Sequence, residues 1–453
     1  MDIHKAPCDL SISEAMAALS AGELTALNLV NSCLERIDKL DDRIQAWAII
    51  DREGALESAH NLDLELKEGK RRSPLHGIPV GVKDIFYTAG LRTESGSKIC
   101  SGFVPSFDAT AVKRIKEAGA VILGKTHTTE FALFDPAPTR NPWNTAHTPG
   151  GSSSGSAAAV AAGMCLAALG SQTLGSVLRP AAYNGIIGFK PNYGRISTHG
   201  VVPLSWTFDH VGIFNRRVED SALLFQVMAG YDSQDLHSLD KAIPDCLSQL
   251  TATRPPSLGL VRQYFYDQAD EDMCTHTDKC ADLFRQAGAK VEEVVLPDSF
   301  TEIFANGLVI MKVEAAVSHM DMFAKHKEQF SPKIKEFIEE GLSFEATEYA
   351  RALQKRKQQM ADMEPLYYEC DAFITPGAPG APPKGLENTG SPIMQGPWTI
   401  LGVPTINLPG GLDKKGLPLG IQLAGPPLAE AFLLSTAWWC EDMLNVQLRP
   451  PLD

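Results

Sequence analysis

The sequence predicts an α/β fold with a largely covered central sheet. Short apolar runs alternate with amphipathic helical segments, and several of those runs end in Gly-, Pro- or Ser-rich loops. No repeat or low-complexity linker breaks the alternation. The 453 residues, 44% apolar and 21% charged, suffice for a large core, and one elaborated domain is expected.

The first fifty residues read as helices. Ser11 and Glu14 form a capping-box pattern, and Leu27, Val30, Leu34 and Ile37 recur at helical spacing, so 1–70 is expected to pack as a helical segment on the domain. From Leu75 the texture changes. "GIPVGVKD" is a short apolar strand that ends at Lys83 and Asp84. "DATAVKRIKEAGAVILGKT" reads as an Asp108 N-cap, a helix, a Gly119 stop and a strand over 120–123. "GSAAAVAAG" is a helix and "MCLAALGSQT" a strand. Alternation resumes over 255–453, with strands near 257–261 and 291–296 around a helix over 272–286. A charged helical stretch over 305–368, in which no chemistry is legible, leads to "CDAFITPGAP" and "GVPTINLPGG".

Lys plus Arg number 41 and Asp plus Glu 55, so the net charge is −14. Such a chain repels phosphate backbones, and no nucleic-acid partner is expected. The nine cysteines form no C-x-x-C, and Cys33 and Cys165 sit in apolar runs as small buried hydrophobes. The N-terminus lacks a signal-peptide layout and no apolar run reaches membrane-spanning length, so a cytoplasmic protein without a membrane partner is expected.

The stretch "PGGSSSGSAAAVAAG", residues 149–163, is a Gly-rich loop opening a helix. It admits an anion cradle, a nucleophile elbow or a plain capped turn. The elbow needs an apolar strand before its serine, whereas "TRNPWNTAHTP" precedes, and His326 is the last histidine. A P-loop needs a lysine where "AAAVAAG" stands. Ser95 and Lys98 match S-x-x-K by a pattern too short to weigh, and the scattered histidines give no metal-site spacing. A serine hydrolase without histidine remains, and it needs a buried lysine as base. Lys83, at a strand end, fits that need.

"HGIPVGVKD", "GKTHTTEFA", "TRNPWN", "PGGSSSGSAAAVAAG", "GSQTLGSVLRPAAYNGIIGFKPNYGRIS" and "GVPTINLP" together resemble the amidase signature family, most closely over 75–215. The resemblance implies a single domain with a mixed central β-sheet surrounded by helices. It implies a Ser–cis-Ser–Lys triad at Ser176, Ser152 and Lys83, with Ser176 as nucleophile and Ser152 as relay. It further implies an oxyanion hole from backbone N–H groups of Thr173, Leu174, Gly175 and Ser176, no cofactor, no metal, and a homodimer. Ser153 and Ser156 are then expected to hold the turn and cap the helix.

Three positions depart from the family's pattern. Leu174 replaces a glycine, a strained choice if φ is positive there. Gln172 and Leu178 replace an Asp and an Arg together, which reads as a coordinated change. Arg179 stands three after the nucleophile, as in the malonamidase-like branch. It has two readings of equal weight: a substrate-carboxylate ligand or a tie for the loop. Phe131, Phe134, Trp206, Trp398, the loop 133–139 and Gln395 suit a pocket for a bulky group. "ALFDPAPTR" and "SPIMQGPW" are similar to urethanases of the family.

The first function expected is a self-sufficient hydrolase of small-molecule amides, with carbamates and esters as further substrates. A partner-dependent amidotransferase A-type subunit that releases ammonia, and a non-catalytic binding protein on the same scaffold, are the alternatives.

Overall fold

Runs of small and β-branched residues pair into one mixed sheet. The computed structural model describes residues 5–250 and 254–452. Its strands are β1 (Trp47–Ile50), β2 (Pro79–Lys83), β3 (Val121–Thr126), β4 (Ala167–Gln172), β5 (Ile187–Lys190), β6 (His210–Asn215), β7 (Ser257–Leu260), β8 (Lys290–Glu293), β9 (Ala372–Pro376), β10 (Thr405–Leu412) and β11 (Pro418–Ala424). They lie in the order β1-β3-β2-β4-β6-β5-β10-β11-β9-β7-β8. β2 runs parallel to both β3 and β4, so three strands end side by side. Every residue of β2, β3, β4 and β6 is buried, the pattern of strands covered on both faces.

Two apolar bodies flank the sheet. One lies beneath helices Ile12–Ala21, Ala26–Ile44 and Glu430–Leu444. The other joins Phe131, Leu174, Phe208 and Trp398 to helices Ile303–His326, Pro332–Ser343 and Ala346–Met363. The expected capping box is present: Ser11 Oγ accepts from Glu14 N at 3.1 Å, and the Glu14 carboxylate accepts from Ser11 N at 2.7 Å.

Some local expectations need correction. The segment 1–70 also contributes strand β1, which pairs with β3 at the sheet edge. Asp108 does not cap the helix Thr110–Glu117, whose N-cap is Ala109. Its carboxylate instead accepts from Ala89 N and Lys116 Nζ, both at 2.8 Å. All nine cysteines are free, and Cys33 and Cys165 are fully buried. Among the described residues no helix is long and apolar enough to cross a membrane.

Candidate active site

Lys83 ends β2 with its side chain wholly buried. Its Nζ lies 2.7 Å from Ser152 Oγ and 2.7 Å from Ser171 Oγ. Burial pushes this amine well below the ordinary lysine range, and the nearby Asp209 carboxylate opposes that shift. Ser152 follows a cis peptide from Gly151. A Cβ at Gly151 would stand 2.6 Å from Thr389 Cγ2, so glycine alone fits. The carbonyls on either side of Ser152 N are both held. Arg179 Nη2 donates to Gly151 O at 2.6 Å, and Thr129 N donates to Ser152 O at 3.2 Å.

Ser176 lies in the turn between β4 and helix Leu178–Asn184, and it is only half-buried. Lys83 and Ser152 are hydrogen-bonded; among the described residues the Ser176 hydroxyl makes no such bond. The turn also leaves the amides of Leu174, Gly175 and Ser176 without an acceptor among the described residues. Gln172 explains the shape of this turn. Its Oε1 accepts from Val177 N at 2.8 Å and Leu178 N at 3.0 Å. A neutral amide thus caps the helix, needs no counter-ion, and leaves Leu178 free to be apolar and buried. Leu174 does not adopt a positive φ, so the anticipated strain is absent, and its side chain joins the second apolar body.

The remaining expected residues divide. Arg179 is buried and ties Gly151 O and Thr389 Oγ1 together, while its Nε has no partner. Gln395 is buried, donates through Nε2 to Gly377 O, and leaves Oε1 unpaired near Gly175. Phe134 packs edge-on against Phe337 at 5.2 Å. Trp398 is corrected to core: Phe265 and Phe373 stack on it at 5.6 and 5.5 Å with interplanar angles of 5° and 11°, which occupies the ring. Phe131 is likewise buried, against His319 and Phe330, whereas Trp206 is half-buried. Ser153 stands at the N-cap without a capping bond. Its Oγ reaches Ser171 N and O at 3.3 Å instead. Ser156 holds Leu169 O at 2.8 Å and lies 2.7 Å from Thr126 Oγ1.

Sequence reasoning missed three contributors. Ser171 is the second hydroxyl on Lys83. Asp209 accepts from Thr173 Oγ1 at 2.6 Å, Leu204 N at 2.8 Å and Ser205 N at 3.0 Å, and burial pushes it up to about 6. Glu314, in the stretch that showed no chemistry, accepts from Ser205 Oγ, Thr207 N and Tyr349 OH and so anchors the loop leading to Asp209. Its signal was a lone acid amid "LVIMKVEAAV". Among the described residues no group of three or more His, Cys, Asp or Glu is arranged to hold a metal. A cleft of about 500 Å³ beside Arg216 and the 446–450 segment holds none of Lys83, Ser152, Ser171, Ser176, Arg179 or Gln395.

The sequence model described as Amidase matches residues 28–434. Two relatives are described as A-type subunits of glutamyl-tRNA(Gln) amidotransferase. That of Geobacter sp. (strain M21) is 35% identical and covers 95% of this chain and 96% of its own. That of Carboxydothermus hydrogenoformans is 36% identical over 94% of this chain and 96% of its own. Among solved structures, native peptide amidase from Stenotrophomonas maltophilia superposes with TM-score 0.86 at 29% identity, over 98% of this chain and 99% of that one. A vestigial complex bearing on the origins of an s-triazine catabolic enzyme gives 0.91 at 28%, over 97% and 100%. These relatives correct the expectation that a small-molecule amide or carbamate and a second copy of the chain are its only partners. Proteins alike along nearly their whole length are named as subunits of an amidotransferase of glutamyl-tRNA(Gln). With the family matched over most of its length, this chain belongs to the amidase signature family, hydrolases of amide C–N bonds.

Proposed function

We propose that the chain is the amide-cleaving subunit of a heteromeric enzyme, and that it frees ammonia from a carboxamide. The observation that carries the chemistry is a lysine, buried and without a carboxylate in hydrogen-bonding reach, 2.7 Å from a serine hydroxyl. A neutral Lys83 has one lone pair and two N–H groups. It donates to Ser171 and accepts from Ser152.

Ser176 Oγ attacks the carbonyl carbon while its proton passes to Ser152 Oγ, whose own proton moves to Lys83 Nζ. The C–O bond forms, and the carbonyl electron pair becomes an oxyanion facing the amides of the turn 173–176. Collapse breaks the C–N bond, and the proton returns from Lys83 through Ser152 to the leaving nitrogen. Ammonia departs, and water cleaves the acyl-Ser176 by the same proton path. The subunit reading is supported by relatives 35–36% identical over at least 94% of the chain.

The test compares wild type and Ser176→Ala for ammonia release from glutamine and asparagine, and for cleavage of anilides and carbamates. Each is assayed alone and with a protein co-purified from the source cells. The expected result is release that rises at least about tenfold on adding the partner and vanishes in the variant. Full turnover by the chain alone would sink the subunit reading. Turnover by Ser176→Ala would sink the nucleophile.

A further inference from the structure

The turn that faces the oxyanion is fastened at two points. Gln172 Oε1 takes the amides of Val177 and Leu178, which fixes the end of the turn. The other half of the same side chain points elsewhere. Its Nε2 donates to Thr399 Oγ1 at 2.9 Å, and Thr399 Oγ1 donates in turn to Leu174 O at 2.7 Å. The hydroxyl has one proton. With Gln172 as its donor partner, that proton is left for a carbonyl, and Leu174 O is nearer than Gln395 O at 3.0 Å.

A trans peptide is planar, with its C=O and N–H pointing in opposite directions. The Leu174 carbonyl and the Gly175 amide belong to one such unit. Drawing Leu174 O toward Thr399 therefore turns Gly175 N–H the other way, where it has no acceptor among the described residues. The same peptide is confined from the segment just before Thr399. A Cβ at Gly175 would stand 2.9 Å from Pro392 Cβ and 3.1 Å from Gln395 Oε1. Gln172, Thr399 and Leu174 are all buried, so water does not replace the bond when the hydroxyl is removed.

We infer that Thr399 is a positioning residue whose hydroxyl, itself oriented by Gln172, holds the Leu174–Gly175 peptide so that Gly175 N–H is aimed at the developing oxyanion. The inference rests on the proposed role of Ser176 and of the turn before it. It assigns no contact between Thr399 and substrate.

The test uses the full chain and a fluorophosphonate probe, whose phosphoryl oxygen also gains charge as Ser176 attacks. Labelling is followed by intact mass, with the site mapped by peptide digestion. In Thr399→Val, and in Thr399→Ala should the valine not fit, the labelling rate at saturation is expected to fall about tenfold or more. The half-saturating probe concentration should stay within about twofold, and Thr399→Ser should recover to within about threefold, because it restores the one bond at issue. A thermal melt of each variant confirms the fold. Full-rate labelling of the valine variant would overturn the inference alone. So would a serine variant as slow as the valine one, or a loss confined to half-saturation. Failure of wild type to label at Ser176 would remove the nucleophile itself, and the inference with it.

Discussion

Lys83, Lys125 and Lys190 all stand at or next to the end of a buried strand, and all three side chains are withdrawn from water. Burial pushes each amine down: Lys125 to about 8, Lys190 to about 7, and Lys83 well below the ordinary range. Their partners differ. Lys125 Nζ reaches Phe86 O and Thr93 Oγ1 and lies 3.6 Å from the Asp84 carboxylate, which holds it as a cation. Lys190 donates to Val403 O and Pro191 O, which can only accept, so its lone pair has no proton to take. Lys83 alone reaches two serine hydroxyls and no carboxylate within ion-pair distance. A depressed pKa therefore does not mark the base. A hydroxyl partner with a proton to give, and no carboxylate to hold the charge, does.

The largest test of that contrast removes each amine. Lys83→Met is expected to lower turnover about 10³-fold or more, the scale of a lost general base. Lys190→Met should instead leave turnover per folded molecule nearly intact and cost about 1–3 kcal/mol of stability, through two carbonyls that lose their donor. Urea unfolding and steady-state rates separate the two outcomes, and equal rate losses would erase the distinction. Next comes Asp84→Asn. It strips the counter-charge from Lys125 and should destabilise the fold by about 3–5 kcal/mol, because an uncompensated cation remains buried. An unchanged melting midpoint would mean that Lys125 is already neutral.

A smaller effect concerns pH. In the proposed mechanism the neutral form of Lys83 is the active one, so activity is expected to be low below its folded pKa and to rise as pH passes upward through it. The stability sign is separate. Between the depressed folded pKa and the ordinary lysine value the unfolded chain binds more protons, so the cost of burying Lys83 is relieved as pH climbs through that window. Asp209 holds the Lys83 pKa up, and above about pH 6 it carries its charge. Asp209→Asn should therefore move the acid limb of the rate profile to lower pH; a shift toward higher pH would contradict the pairing. The smallest effect is that of Ser171→Ala. Loss of one neutral hydrogen bond to Lys83 should cost about 1 kcal/mol, seen as a rate change within about tenfold, if Ser152 is the partner that relays protons.

The sequence carried the strand ending at Lys83, the serine loop and the helix after it, because each is local. An apolar run, a glycine cluster and an alanine-rich stretch declare themselves within a dozen residues. Residues that converge from afar were harder to find. Ser171 comes to Lys83 from β4 and Asp209 acts on it from the loop before β6, and Glu314 anchors that loop from a helix more than a hundred residues on. Trp398 misled in the opposite sense. Nothing nearby in sequence shows that Phe265 and Phe373 will stack on its ring. β1 escaped notice because four residues, three of them with half-exposed side chains, set between two helices, carry little periodic signal. The paired departure of Gln172 and Leu178 was visible as a pattern, but its reason lies in the geometry of the turn. One amide oxygen caps two backbone donors there without any charge to balance.

Leu174 carries a practical consequence. Its side chain is embedded in the apolar body that the helices of 303–363 complete, while its backbone belongs to the turn proposed to hold the oxyanion. That turn is thus founded on the same packing as the helices of 303–363. A designer who recuts those helices therefore also disturbs the footing of the turn. Libraries that vary Leu174 together with its helical neighbours will therefore sample the packing of the turn more fully than libraries that vary either alone.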